Sequence, residues 1–283
     1  MRCKKCFLSF CILLQVLLLF SCGGKRTDSV PVSYELPLDA VGYPVYNIPQ
    51  LDVSLYGHKV EIVFSGGEAK ISALPSGISA ETNGGDIVLR SQIRGVEYIV
   101  CGSSSDASLT IVSSHSPLVT LDSLSLTAIG KNVLQVSSEE VIYLRTLGNC
   151  RIADLSDGIK ADNQSAAVKL MGQAVLCGGN LAANAERRSA LFCTGTLYLD
   201  GMQLLIQGAP NNAILTNGSF VVGSGNVGAS SSKDVVKFKK GDFVLFGGNI
   251  LLSSSEDKAD GVQAVNFYQQ GGNLDVVVAG AAS

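Results

Sequence analysis

Asp234 and Asp260 occupy equivalent positions in consecutive repeats of this 283-residue chain, with Glu256 and Asp257 close by. On neighbouring β rungs such positions lie ~4.8 Å apart. Two ionised carboxylates at that distance repel unless a cation or a hydrogen-bond donor sits between them. Calcium, hard and oxygen-seeking, is the cation that suits Asp234, Asp260 and Asp257. The competing reading makes both repeat aspartates solvated turn residues that cap backbone amides. A second set is aromatic. Phe192, Tyr198, Phe246 and Tyr268 fall at outward positions of the repeats, where ring faces can hold sugar rings by apolar contact. Tyr198 leads this set. The alternative is that the N-terminal lead-in, which carries Tyr34, Tyr43 and Tyr46, packs over the same wall. Lys160, Lys237, Lys239 and Lys240 would attract carboxylated sugars or simply blunt an exposed face. A lyase needs a basic side chain beside a cation to take the proton alpha to a uronate, and no such constellation stands out. With His58 and His115 the only histidines, there is no metalloprotease helix, nucleophile elbow or phosphate loop.

These residues are positioned by a repeat of about 23 residues. Residues 172–252, laid in rows of that length, give an apolar column Ala174, Leu197, Phe220, Phe243. Others read Leu176, Leu199, Val222, Leu245; then Leu181, Leu204, Val227, Ile250; then Ala183, Ile206, Ala229, Leu252. A further row carries Val262, Phe267, Leu274 and Val276, with Gln269 breaking one column. Apolar columns alternate with polar ones, the period-2 pattern of a strand with one buried face. A single row cannot bury that face, whereas stacked rows can. The expectation is an all-β, right-handed parallel β-helix with three short strands per coil. Residues 56–130 read as irregular early coils and a cap, and 131–278 as regular coils within a solenoid spanning 56–283.

The first residues read as an address. Arg2, Lys4 and Lys5 precede an apolar run, and Leu19-Phe20-Ser21-Cys22 is similar to a bacterial lipobox, so 1–21 is read as a signal peptide and Cys22 as lipidated. Residues 22–55, with Pro31, Pro37, Pro44 and Pro49, read as tether and lead-in. Cys101, Cys150, Cys177 and Cys193 lack zinc-ligand spacing. An exported chain could pair them, and Cys150–Cys177 is one candidate bridge between coils. Charged residues are only 16% and the net charge is −3, against a nucleic-acid footprint.

One phrase recurs as Asp157-Gly158-Ile159-Lys160, Asp234-Val235-Val236-Lys237 and Asp260-Gly261-Val262-Gln263. Another recurs as Gly178-Gly179-Asn180-Leu181, Gly247-Gly248-Asn249-Ile250 and Gly271-Gly272-Asn273-Leu274. Together with Gly95-Val96-Glu97-Tyr98 and Ser108-Leu109-Thr110-Ile111, the chain resembles bacterial lipoproteins called carbohydrate-binding domain-containing proteins. That is a β-helix family related in fold to pectate lyases. The resemblance implies a polysaccharide-binding lipoprotein of the bacterial envelope, expected at the outer membrane and facing either periplasm or surface. Acidic, pectin-like or cellulose-like chains would be its ligands, with calcium at acidic turns as the implied cofactor. The other readings are a lyase-like enzyme, and an adhesin or envelope scaffold.

Overall fold

The computed structural model describes residues 45–155, 165–186 and 188–279. Of the described residues 63% are strand, and they form a parallel β-solenoid of about eight turns, with roughly 24 residues between equivalent positions. Among the described residues the one helical element is a short 3-10 turn, Val53–Leu55. Rows that could not bury their apolar face alone do so by stacking. Ala174 pairs with Leu197, Leu197 with Phe220, Phe220 with Phe243 and Phe243 with Phe267. The columns through Leu199, Leu204 and Ile206 hold in the same way, and their members in the middle turns are buried. Each buried aliphatic side chain contributes roughly 1.5–3 kcal/mol. Phe243 stacks on Phe267 at 5.3 Å and meets Phe220 edge-on at 5.7 Å, so the aromatic column continues through three rungs.

Two sheets wrap this core. The nine-stranded sheet runs from Ile78–Asn83 to Val262–Gln263, and the twelve-stranded one ends on Phe267–Gln269 and Asn273–Val278. Within 56–130 the chain forms two antiparallel hairpins. His58–Ser65 pairs with Glu68–Ile71, and Ile78–Asn83 pairs with Asp86–Ser91. They lay Ala69, Ile71 and Ala80 against the first parallel rungs. At the opposite end Val262, Leu274 and Val276 are only half-buried.

The three strands of a coil are realised as one short strand and one long strand that turns a corner. Ala174–Ala185, Leu197–Ala209 and Phe220–Ser231 each serve two faces, and their pairing slips in register at the corner. The corner needs positive φ, which glycine adopts without steric cost. Gly201 has φ +83° and Gly248 φ +89°. Their surroundings differ. A Cβ at Gly201 would meet open space, whereas one at Gly248 would run into the carbonyl oxygen of Gly225 on the preceding rung. Both alanine variants carry the roughly 1–2 kcal/mol cost of the left-handed conformation. Gly248→Ala is expected to lose clearly more stability in urea unfolding than Gly201→Ala. Equal losses would mean the rung-to-rung approach at the corner is not the constraint.

Candidate functional site

The outward aromatic column forms as its spacing predicts, but it is covered. Val175, Tyr198, Val221, Val244 and Tyr268 align on successive rungs. Across them runs the lead-in, perpendicular to the strands. Its Tyr46 hydroxyl donates to Asp242 Oδ2 at 2.8 Å and lies 3.2 Å from Ser219 Oγ. Ile48 fills the space over Gly223, and the Gln50 carbonyl accepts from the Tyr143 hydroxyl at 3.1 Å. Tyr56 then meets Tyr143 edge-on at 6.5 Å. Tyr198 is left 7% exposed within this cluster, and burial raises its phenol above the usual range. The expected leading sugar platform is therefore a contact for the lead-in, the alternative that Tyr46 suggested. Tyr34 and Tyr43 lie outside the described residues. Phe192 is also corrected: it is fully buried with Ala166 and Leu215 in a second small cluster. Period-2 alternation tells which side of a sheet a residue faces, not what lies over that side. Phe246 and Tyr268 stay half-exposed at the rim of the covered cluster. Ile48→Asp should lift the lead-in, so that Tyr198 becomes reactive to tetranitromethane while the solenoid still melts cooperatively. Unchanged Tyr198 reactivity would show that the wall is closed by something else.

The charged candidates are engaged with one another. Asp234 Oδ2 accepts from Lys237 Nζ at 2.9 Å, and its Oδ1 accepts the Asp260 amide N–H at 3.0 Å. Burial and the nearby Asp234 raise the Asp260 carboxyl. Asp257 is exposed, and among the described residues no three His, Cys, Asp or Glu side chains converge on one point as metal ligands. Asp234 thus draws one donor from Lys237, three residues on, and one from the Asp260 amide of the next rung. Equivalent pairings recur elsewhere. Glu97 accepts from Arg145 at 2.6 Å and from Thr120 at 2.7 Å, and Lys131 joins Asp86 and Asp106. Lys160 and Asp157 lie outside the described residues. Cys101, Cys150, Cys177 and Cys193 are free thiols. Cys150 is buried beside Leu181, its thiol donating to the Leu121 carbonyl, while Cys177 belongs to the cluster under the lead-in, on the other side of the sheet. The candidate Cys150–Cys177 bridge is not formed.

Arg94, His115 and Glu140 stand on successive coils as another such post. Glu140 lies 3.1 Å from His115 Nδ1, accepts the Ser116 amide at 2.9 Å and is 3.1 Å from Arg94. The His115 hydrogen bond first, then the Ser116 amide, holds its carboxyl down to about 2 from 4.5. A depressed carboxyl stabilises the fold above its unfolded pKa, and that contribution fades as pH falls from 4.5 toward about 2. Glu140→Gln should be less stable than wild type at neutral pH, with the difference shrinking through that acid window in melts recorded against pH. A pH-independent difference would remove Glu140 from the acid response.

One column escaped the sequence reading. Just ahead of the inward residues Cys150, Leu181, Leu204, Val227, Ile250 and Leu274 stand Asn149, Asn180, Gln203, Asn226, Asn249 and Asn273, aligned rung to rung. Side-chain amides bond along the stack. Asn180 donates to Asn149 at 2.6 Å, Asn226 to Gln203 at 2.6 Å, Asn249 to Asn226 at 2.8 Å and Asn273 to Asn249 at 2.8 Å. The next outward column reads Arg151, Ala182, Leu205, Gly228, Leu251 and Asp275. Leu205 is 45% exposed and Leu251 54%. Between the ladder and this column lies a shallow open groove of about 490 Å³, lined by Asn180, Gln203, Leu205, Asn226 and Gly228 among others. The repeated Gly-Gly-Asn phrase was its signal, with the asparagine one place before each buried residue.

A family model described as carbohydrate-binding domain-containing protein matches residues 84–283. The chain belongs to that family. The matched region takes in the parallel rungs from Asp86 onward, including every member of the amide ladder. No curated protein matches this family member. Among solved structures it is similar to a polysaccharide lyase-like protein from C. thermocellum, in a gadolinium derivative. The identity is 17% and the TM-score 0.57, over 78% of this chain and 97% of that one. At that identity the likeness is one of fold.

Proposed function

We propose that this carbohydrate-binding domain protein is a non-catalytic polysaccharide-binding lipoprotein of the bacterial cell envelope. The family match over 84–283 carries the reading. A rigid solenoid supports it by offering a polymer the same side chains at every rung. The non-catalytic part is supported by the family description, which speaks of binding, and four basic residues are in keeping with it. Arg94, Lys131, Arg145 and Lys237 each sit against a carboxylate, and a base held in an ion pair is poorly placed to take a proton from a sugar. The lipid anchor at Cys22 and an outer-membrane location rest on the N-terminal sequence alone.

The deciding measurement is a polysaccharide panel, neutral and acidic, in calcium and in EDTA, with ultraviolet absorbance followed in the same wells. Retention on polysaccharide without release of unsaturated products is expected. It should persist in EDTA, because both oxygens of Asp234 are already occupied. Release of ultraviolet-absorbing products would replace this reading with a lyase. Failure to retain any polysaccharide, with capture of envelope protein instead, would replace it with an adhesin or scaffold.

A further inference from the structure

We propose that the glycan lies along the amide ladder, its axis parallel to the solenoid axis, and that it is an uncharged extended chain. The placement rests on the polysaccharide-binding reading and adds the surface, the orientation and the ligand class. On the aromatic wall of the twelve-stranded sheet Tyr46 and Ile48 pack over Tyr198 and leave Phe246 and Tyr268 half-exposed at the rim, and the outward Phe192 of the nine-stranded sheet is buried. The ladder face is open. Asn180, Gln203, Asn249, Leu205 and Leu251 are all exposed there.

A side-chain amide carries two N–H donors and an oxygen with two lone pairs. Inside the bonded ladder Asn249 spends one N–H on Asn226 and one lone pair on Asn273. The other donor and the other lone pair point away from the stack. Asn226 and Asn249, each bonded on both sides, therefore keep one donor and one acceptor apiece, the combination that a sugar hydroxyl, itself donor and acceptor, satisfies. The ladder also fixes the amides before any ligand arrives, which lowers the ordering cost of binding.

Apolar contact comes from the outward column beside the ladder. Leu205 and Leu251 stand proud of Gly228, two rungs apart and so about 10 Å from each other. That is close to the length of one disaccharide unit in an extended chain, so the same apolar face of every second sugar would meet a leucine. Charge is confined to the ends of this column, Arg151 on one side and Asp275 on the other. A polyanion would find no row of cations here, and an uncharged chain needs none.

The test uses the purified protein and neutral gluco- and manno-oligosaccharides of increasing length, with polygalacturonate as the acidic comparison. Affinity should rise with length until the sugars span Asn180 to Asn273 and then level off. It should change little with salt or EDTA. Asn226→Ala and Leu205→Ala should each bind about tenfold more weakly. Gly228→Leu, at an outward position whose Cβ would lie 3.3 Å from Leu205 Cδ1, should fill the groove and abolish binding with an unchanged circular-dichroism spectrum. Lys239→Ala, away from the groove, should bind as wild type does. Unchanged binding by folded Asn226→Ala and Gly228→Leu, or a salt-sensitive preference for polygalacturonate, would overturn the placement alone. A wild type that retains no polysaccharide would overturn the polysaccharide-binding reading and the placement with it.

Discussion

In-register hydrogen bonding from rung to rung is the constraint on which the molecule depends. Parallel strands repeat at ~4.8 Å only if each turn of chain returns to the same place. Every side chain is then stacked on its equivalent from the turn before. Apolar residues become continuous columns, as with Phe220, Phe243 and Phe267. Amides become a bonded ladder, as with Gln203, Asn226, Asn249 and Asn273. Like charges would repel all along the axis, and the chain answers by alternating sign. Lys59, Glu97 and Arg145, or Arg94 and Glu140, come from different turns and meet, Glu97 from a buried position.

The same constraint explains the glycines. A corner must turn the chain without interrupting the ladder of backbone bonds, and at some corners the rung beneath also leaves no room for a side chain. At Gly225 and Gly248 both demands fall on one residue, which has positive φ and a carbonyl oxygen where a Cβ would stand. Glycine is the residue that meets them. The family phrase built on paired glycines followed by asparagine is thus a geometric unit. The turn sets up the corner, and the asparagine that follows it is delivered to the outer surface in register.

The lead-in gives the solenoid a second layer on one side. Tyr46 and Ile48 convert an apolar strip of sheet into buried core, and they set which face of the solenoid stays open to solvent. A function that requires contact along a polymer is thereby directed to the corner face with the amide ladder. Where Arg94 meets Glu140 and Arg145 meets Glu97, the ion pair ties one coil to another.

What the sequence determined by itself was everything that follows from periodicity. The inward columns, the outward alignment of Tyr198 with Val175 and Val221, and the stacking architecture are all local alternation repeated at a fixed interval, and alternation is written in residue order. What covers a face is not. Tyr198 and Phe192 face outward by alternation and are nonetheless buried, Tyr198 under Tyr46 and Ile48, which are remote in sequence. The pairing of Asp234 with Lys237 and the Asp260 amide belongs to the same class, since a carboxylate's partner is chosen by the path of the turn. The amide ladder lies between the two. Its column was present in the Gly-Gly-Asn phrase, but only the stacked rungs turned separate polar residues into bonded runs, Asn149 with Asn180 and Gln203 through Asn273.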